Sequence, residues 1–401
     1  MPHQQPNPPR TTSTSGHGVP FIQGVHTSVA VFVGDAPGLP GKPAFVRHPQ
    51  EFIEAFSRRG TAARDGTAAR DGTASQGSAA SQGGAEGEPL SFVHDAVLGH
   101  FRNGGGGAWI LGTDAAEDRV AAYRSALAKL ERLPEITLVV APDLWRVKED
   151  AHGIAREIAG HCRRAGRRVA LLHTPPGLDP VDIRSRPFEL DEPEAQFVAV
   201  HYPWVTVTEP DGRERLVPPS GHVSGMCCRV DADRGVHATP VGALVGVVKH
   251  ERELTDAERE SVASHGVNCL GSVPGKGVRV LGAHTLSTEP EGAQLSVRRL
   301  LNYARASLEQ GTRWAAFDTN SAPLRALIRH SATTFLNGLW QQGALSGRSA
   351  AEAFEVVCDD TNNTAEDVAR GRVNLDVGLA ALRSAEFVTF RVQHDIGTRT
   401  T

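Results

Sequence analysis

Four short apolar runs separated by amphipathic stretches constrain this chain most. Residues 108–112 (Ala-Trp-Ile-Leu-Gly), 136–141 (Ile-Thr-Leu-Val-Val-Ala), 168–173 and 196–207 look like strands, as expected of a sheet buried on both faces. Between them lie helical patterns, one carrying Val120, Tyr123, Leu127 and Leu130, another Ile154 and Ile158. Strand, helix, strand in that order predicts a largely parallel sheet covered by helices over 89–212.

The flanking segments read differently. Residues 1–17 are rich in Pro, Gln, Ser, Thr and His and are expected to be disordered. Residues 28–34 spell a buried strand ended by Gly34, a turn follows at 35–38, and 49–57 suit a short helix. Residues 58–88 repeat Thr-Ala-Ala-Arg-Asp-Gly and then Ala-Ser-Gln-Gly variants, with no large apolar residue to fill a core, so a flexible surface insertion is expected. From 213 to 401 the pattern is α+β. Thr255–Glu258 and Ser349–Glu352 read as capping boxes. Val297, Leu300, Leu301, Ala304 and Leu308 form one apolar helix face; Leu324, Leu327, Ile328, Phe335 and Leu339 form another, with Gly343 placed to stop it. A terminal strand over 386–394 puts Val388, Phe390 and Val392 on one side and Thr389, Arg391 and Gln393 on the other.

Residues 217–240 are dense in backbone-directing residues. Pro218 and Pro219 fix φ, and Gly221, Gly225 and Gly235 permit turns. The segment specifies a shape and offers little chemistry. Cys227 and Cys228 are adjacent, so in a strand they face opposite sides and cannot share a metal with His222 or His237. Asp231 and Asp233 lack the further acids of a calcium loop. Ser220 sits in Pro-Pro-Ser-Gly-His, where adjacency makes no triad, and Gly-x-Ser-x-Gly does not occur. Gly104–Gly107 follows an apparent helix and precedes a strand, the reverse of a phosphate loop, and Gly275-Lys276-Gly277 lies between two strand-like segments. No catalytic, cofactor or metal residue is assigned.

A net charge of −4 with scattered Lys and Arg argues against nucleic acid; the Arg163-Arg164 and Arg167-Arg168 pairs suit the end of a helix. Five cysteines without framework spacing, no apolar leader and no apolar run near the ~18 residues of a membrane span predict cytoplasmic assembly without direct membrane insertion, with lysis as one route out.

Taken in order, several motifs resemble the contractile tail sheath proteins of phages and phage-tail-like injection systems. They are Gly24–Gly34, Phe101–Gly105 before the strand 108–112, Pro203-Trp204-Val205, Val217–Gly225, Asp231–Gly235, Gly266–Asn268, Gly277–Leu286, Arg298–Leu300, Gly343–Gly347, Phe354, Cys358-Asp359, Thr361-Asn362 and the 385–387 run. Within them Asn103, Gly104, Gly105, Pro218, Pro219, Ser220, Gly221, Gly235, Asn268, Gly282, Thr285, Arg299 and Gly347 are the expected structural positions. The chain departs from the family pattern in its short opening strand, Gly18–Phe21, and in His284, where Arg is usual. The resemblance implies a sheath core built from 18–57 and 213–401 around an inserted α/β domain, subtilisin-like in fold and non-catalytic. It implies a structural protein with no cofactor, stacked in six-fold rings around an inner tube, with baseplate and terminator proteins as further partners. The strand Phe387, Val388, Thr389, Phe390, Arg391, Val392 and Gln393 is expected to link subunits by joining a neighbour's sheet. A minor baseplate-proximal subunit of the same particle is the alternative, and an α/β hydrolase-type enzyme a more distant one.

Overall fold

The computed structural model describes residues 20–34, 40–55, 91–113, 118–146, 149–183, 187–209, 212–383 and 386–396. The expected disordered tail and the low-complexity insertion lie outside the described residues.

The chain opens with β1 (Ala30–Gly34), β2 (Ala44–Val46) and helix α1 (49–55). Then α2 (Val93–Arg102), β3 (Ala108–Gly112), α3 (Arg119–Lys129), β4 (Leu138–Val140), α4 (Ala151–Ala165), β5 (Val169–His173), α5 (Glu192–Ala195) and β6 (Val198–Tyr202) alternate as the apolar runs predict. The run 196–207 divides into β6 and β7 (Val205–Thr208), which belong to different sheets. Pro203 stands at the division and has no N–H for a ladder. Next come β8 (Glu214–Val217), α6 (Ser220–Arg234), β9 (Gly242–Ala243), β10 (Val247–His250), α7 (Asp256–Ser264), β11 (Val267–Val273) and β12 (Gly277–Val280). The remainder is α8 (Pro290–Ala293), α9 (Leu295–Gly311), α10 (Ala322–Gln341), α11 (Ala350–Ala353), β13 (Phe354–Val357), α12 (Ala365–Ala369), β14 (Arg372–Leu379) and β15 (Val388–Asp395).

Nine strands form one sheet in the order β2-β3-β1-β4-β5-β6-β11-β12-β9, parallel from β3 through β11 and antiparallel at both ends. This sheet does not follow the sequence boundaries. β1, placed by the sequence outside the α/β domain, is its third strand, and β9, β11 and β12 come from beyond residue 212. One face packs on α3, α4 and α7 through Tyr123, Leu127, Ile154, Ile158 and Val262. The other packs on α2 and α6 through Val93, Val97, Val223, Met226 and Cys227. A third core joins α9 and α10 to the antiparallel sheet β13-β14-β15. It buries Val297, Leu300, Leu301, Ala304 and Leu308, the apolar face expected of α9.

Local signals succeed and fail for identifiable reasons. Thr255 and Glu258 form their capping box, whereas Ser349 makes no side-chain cap bond and the Glu352 carboxylate accepts from the Arg348 N–H (2.9 Å). Thr364 and Asp367 form a box that was not anticipated. The segment 217–240 holds a helix, α6, where a strand was assumed for Cys227 and Cys228. α6 is buried almost all round, so it shows no amphipathic stripe to read. Its glycines serve close packing: a Cβ on Gly221 would lie 2.4 Å from the Ala96 backbone, and one on Gly225 would overlap the His100 carbonyl. α2 and α6 therefore touch through their backbones.

Candidate functional site

Residues 20–29 form a strap that runs beside α9 before entering the sheet as β1. Arg299, Tyr303, Ser307 and Gly311 recur every four residues and so share one face of α9. Ile22 is buried against Gly311, Gly24 lies on the Tyr303 ring, the Val25 N–H donates to Ser307 Oγ (3.1 Å), and Arg299 Nη2 donates to the Thr27 carbonyl (3.2 Å). A side chain at position 24 would collide with Tyr303.

At the inner end of the strap, three segments distant in sequence meet. Arg299 reaches Asp231 with both terminal nitrogens, at 2.9 and 2.5 Å. Ser28 Oγ donates to the same carboxylate (2.5 Å), and the Cys228 thiol donates to the Ser28 carbonyl (3.4 Å). The two charged side chains are only 3% and 4% exposed, so this is a desolvated pair. Burial alone pulls the Arg299 pKa down; Asp231 more than reverses that, and the net shift is upward. Arg299 was an expected position. Its partners Asp231 and Ser28 were not assigned, since Asp231 leads into Asp233-Arg234-Gly235, which reads locally as a turn, and Ser28 reads as the start of a strand.

The other expected positions also resolve into packing and hydrogen-bond roles. Asn103 donates to the Gly99 and Val245 carbonyls (2.9 and 3.0 Å) and accepts from the Val245 N–H (2.8 Å), tying α2 to the segment before β10. Gly104 follows with φ 99° against Arg229, and Gly105 packs on His100. Asn268 donates to the Val200 and His284 carbonyls and accepts from the His284 N–H, with Gly282 packed on its Oδ1. Thr285 Oγ1 donates to the Gly292 carbonyl (2.6 Å). Pro218 and Pro219 lead into α6, Gly235 ends it, and Gly347 packs on Glu352 and the Ala353 backbone at the end of α11. The His284 side chain is exposed and makes no ion pair among the described residues.

Ser220 Oγ lies 3.3 Å from His173 Nδ1, and both are fully buried. Burial, with a smaller contribution from His201, pushes the His173 pKa down to about 3. His222 is held near 4 by burial and then Arg102. His173 Nε2 has no hydrogen-bond partner among the described residues, so no described carboxylate completes a triad. No group of metal-ligating side chains occurs among the described residues.

The terminal strand β15 pairs antiparallel with β14 from Leu379↔Val388 to Arg372↔Asp395. Val392 is buried, Val388 and Phe390 are half-buried, Thr389, Arg391 and Gln393 are exposed, and Phe387 precedes the ladder. Arg391 grips Asp376 across the pair at 2.5 and 2.8 Å. β15 is an edge strand, so its outer backbone groups have no ladder partner among the described residues.

Residues 121–286 match the phage tail sheath protein central domain, and 287–395 match the phage tail sheath C-terminal domain. The tail sheath protein of Enterobacteria phage T4 is 26% identical over 180 residues, which is 44% of this chain and 26% of that protein. That of Vibrio phage KVP40 is 24% identical over 182 residues, again 44% of this chain and 26% of that protein. The match thus spans about a quarter of each phage relative. The helical sheath of the anti-feeding prophage in its contracted state superposes with a TM-score of 0.70 at 22% identity, covering 95% of this chain and 97% of that one. The contracted sheath of the extracellular contractile injection system PVC gives 0.69 at 21% identity, covering 96% and 97%. A chain of the anti-feeding prophage baseplate gives 0.69 at 22%, covering 96% and 98%. These structural likenesses establish the fold.

Proposed function

Because the chain belongs to the contractile tail sheath family, a family of structural proteins and not of enzymes, we propose that it is a sheath subunit that polymerises as stacked six-fold rings around an inner tube and contracts to drive that tube through a target envelope. The observation that carries this reading is the pair of adjoining family matches, central then C-terminal, over 121–395. The likeness to sheath chains over nearly the whole length supports it.

We assign the nine-stranded unit to the family's subtilisin-like, non-catalytic domain, and α9, α10 and β13–β15 to its sheath core. The sealed Ser220–His173 contact, without a carboxylate, suits a scaffold. Residues 387–393 are the proposed linking strand, working through the open edge of β15. Contraction is a bistable change in packing between subunits that keeps such links. Inner-tube, baseplate and terminator proteins are the proposed partners, with assembly in the cytoplasm and release by lysis.

Electron microscopy of the purified full chain tests the reading. Helical tubes with six-fold symmetry are expected, and a protein that stays monomeric with and without its inner-tube partner overturns it. Sheath and baseplate chains fit equally well, so copy number per particle, counted by quantitative mass spectrometry, separates a principal subunit from a baseplate-proximal one.

A further inference from the structure

A pocket of about 390 Å³ opens at the C-terminal end of α4, bordered by Arg313 just beyond α9. Four arginines line it: Arg164, Arg167, Arg168 and Arg313, with His161 beside them and Glu131 on the rim. The floor is Arg168, only 1% exposed. Its guanidinium donates to the carbonyls of Leu130 (2.7 Å), Leu133 (2.6 Å) and Ile136 (3.2 Å) and to His161 Nε2 (2.5 Å). Burial, then Arg168 and Arg164, hold His161 near a pKa of 3, so the imidazole is a neutral acceptor. Arg168 is thus hydrogen-bonded entirely to neutral groups, and Glu135 and Glu131 act on its charge only through space.

The walls add to this. Arg167 is matched by Glu309 at 3.1 Å, and Glu194 is engaged with Arg163. Arg164 and Arg313 are exposed and make no ion pair among the described residues. Four lining arginines outnumber the three nearby carboxylates, Glu131, Glu135 and Glu309, by one. The carbonyl end of α4 offsets about half a charge of that. Arg305, beside Gly166 at the helix exit, borders the same region with another cation. A concave site where exposed guanidinium groups with free donors stand over a buried, fixed guanidinium charge is suited to binding oxyanions, since a guanidinium matches their geometry with several N–H donors.

We propose that this pocket is an oxyanion site, taking a phosphate- or carboxylate-type group between Arg164 and Arg313 over the Arg168 floor. The pocket alone carries the inference, whether or not the chain polymerises. The test is calorimetric titration of the full chain with inorganic pyrophosphate, against chloride at matched ionic strength. The wild type is expected to bind, and Arg164→Gln with Arg313→Gln together to weaken binding roughly 10- to 100-fold, as expected for losing charge-assisted hydrogen bonds. Both positions are exposed, so the double variant should keep the wild-type melting temperature in chloride, while Arg348→Gln, elsewhere on the surface, should leave binding intact. No binding by the wild type, or equal binding by the double variant, overturns the proposal. Repeating the titration on assembled protein identifies the natural source. Lost binding points to a carboxylate of a neighbouring copy filling the site, and retained binding to a free phosphate-type ion.

Discussion

Asp231→Asn removes one charge from the buried pair with almost no change in shape. Arg299 then keeps its charge at 3% exposure with no carboxylate to offset it. Removing one partner of a buried pair costs about 3–5 kcal/mol, because the remaining ion stays desolvated. Against a total stability on the order of 5–15 kcal/mol, this is a large fraction. Urea unfolding should show a lower midpoint with an unchanged slope, since the surface exposed on unfolding stays the same. The companion is Asp231→Leu with Arg299→Met, which replaces the pair by apolar groups of similar volume. Its loss should be clearly smaller than the sum of the two single losses, because neither ion is left stranded. A cost below about 1 kcal/mol for Asp231→Asn, or strictly additive losses in the double variant, would refute the claim that these residues act as one buried unit.

Three further outcomes follow from the packing and the buried imidazoles. Gly225→Ala pushes a methyl into the His100 carbonyl and should cost about 1–3 kcal/mol by forcing α2 and α6 apart; an unchanged melting temperature would contradict that contact. His100, His173, His201 and His222 are buried with pKa values near 4, 3, 4 and 4, all depressed mainly by burial. Below about pH 6.5 the unfolded chain binds more protons than the folded one, so stability should fall as pH drops toward 4, by up to about 1.4 kcal/mol per pH unit for each imidazole; a flat profile between pH 7 and 5 would oppose this. Truncation before Glu386 removes the β15 ladder and the buried Val392 and Ile396, so it should lower the melting temperature as well as prevent tube formation; normal tubes at wild-type stability would exclude both roles.

Where one element's own residues decide its state, the sequence was readable. The continuous apolar runs of β3, β4 and β5 and the stripe on α9 needed no tertiary information, and Gly343 ends α10 with φ 76° as its position suggested. α6 was opaque because burial on every side erases periodicity, and because its glycines answer to α2 rather than to their own backbone. β1 was found as a strand but not as a central one, since a parallel sheet carries no local mark of strand order. The Asp231–Arg299 pair was invisible for a related reason: its members are 68 positions apart and each reads locally as something ordinary. The appearance of both segments in the family resemblance was the one available hint.

The strap has a consequence for how the chain reaches its native state. β1 is made early in synthesis, yet its neighbour β4 comes about a hundred residues later, and Val25 finds Ser307 across 282 positions. Such distant closures raise contact order and slow folding, because the entropy of a long loop is lost before its contacts form. The strap cannot be seated until α9 has left the ribosome. A nascent chain therefore holds an unfinished α/β sheet for most of its translation, and the sheet β13-β14-β15 follows later still. On the proposed reading, surfaces built from the strap, α9 and β15 would become complete only after all three are synthesised, so the order of the elements would itself hold back assembly of unfinished subunits.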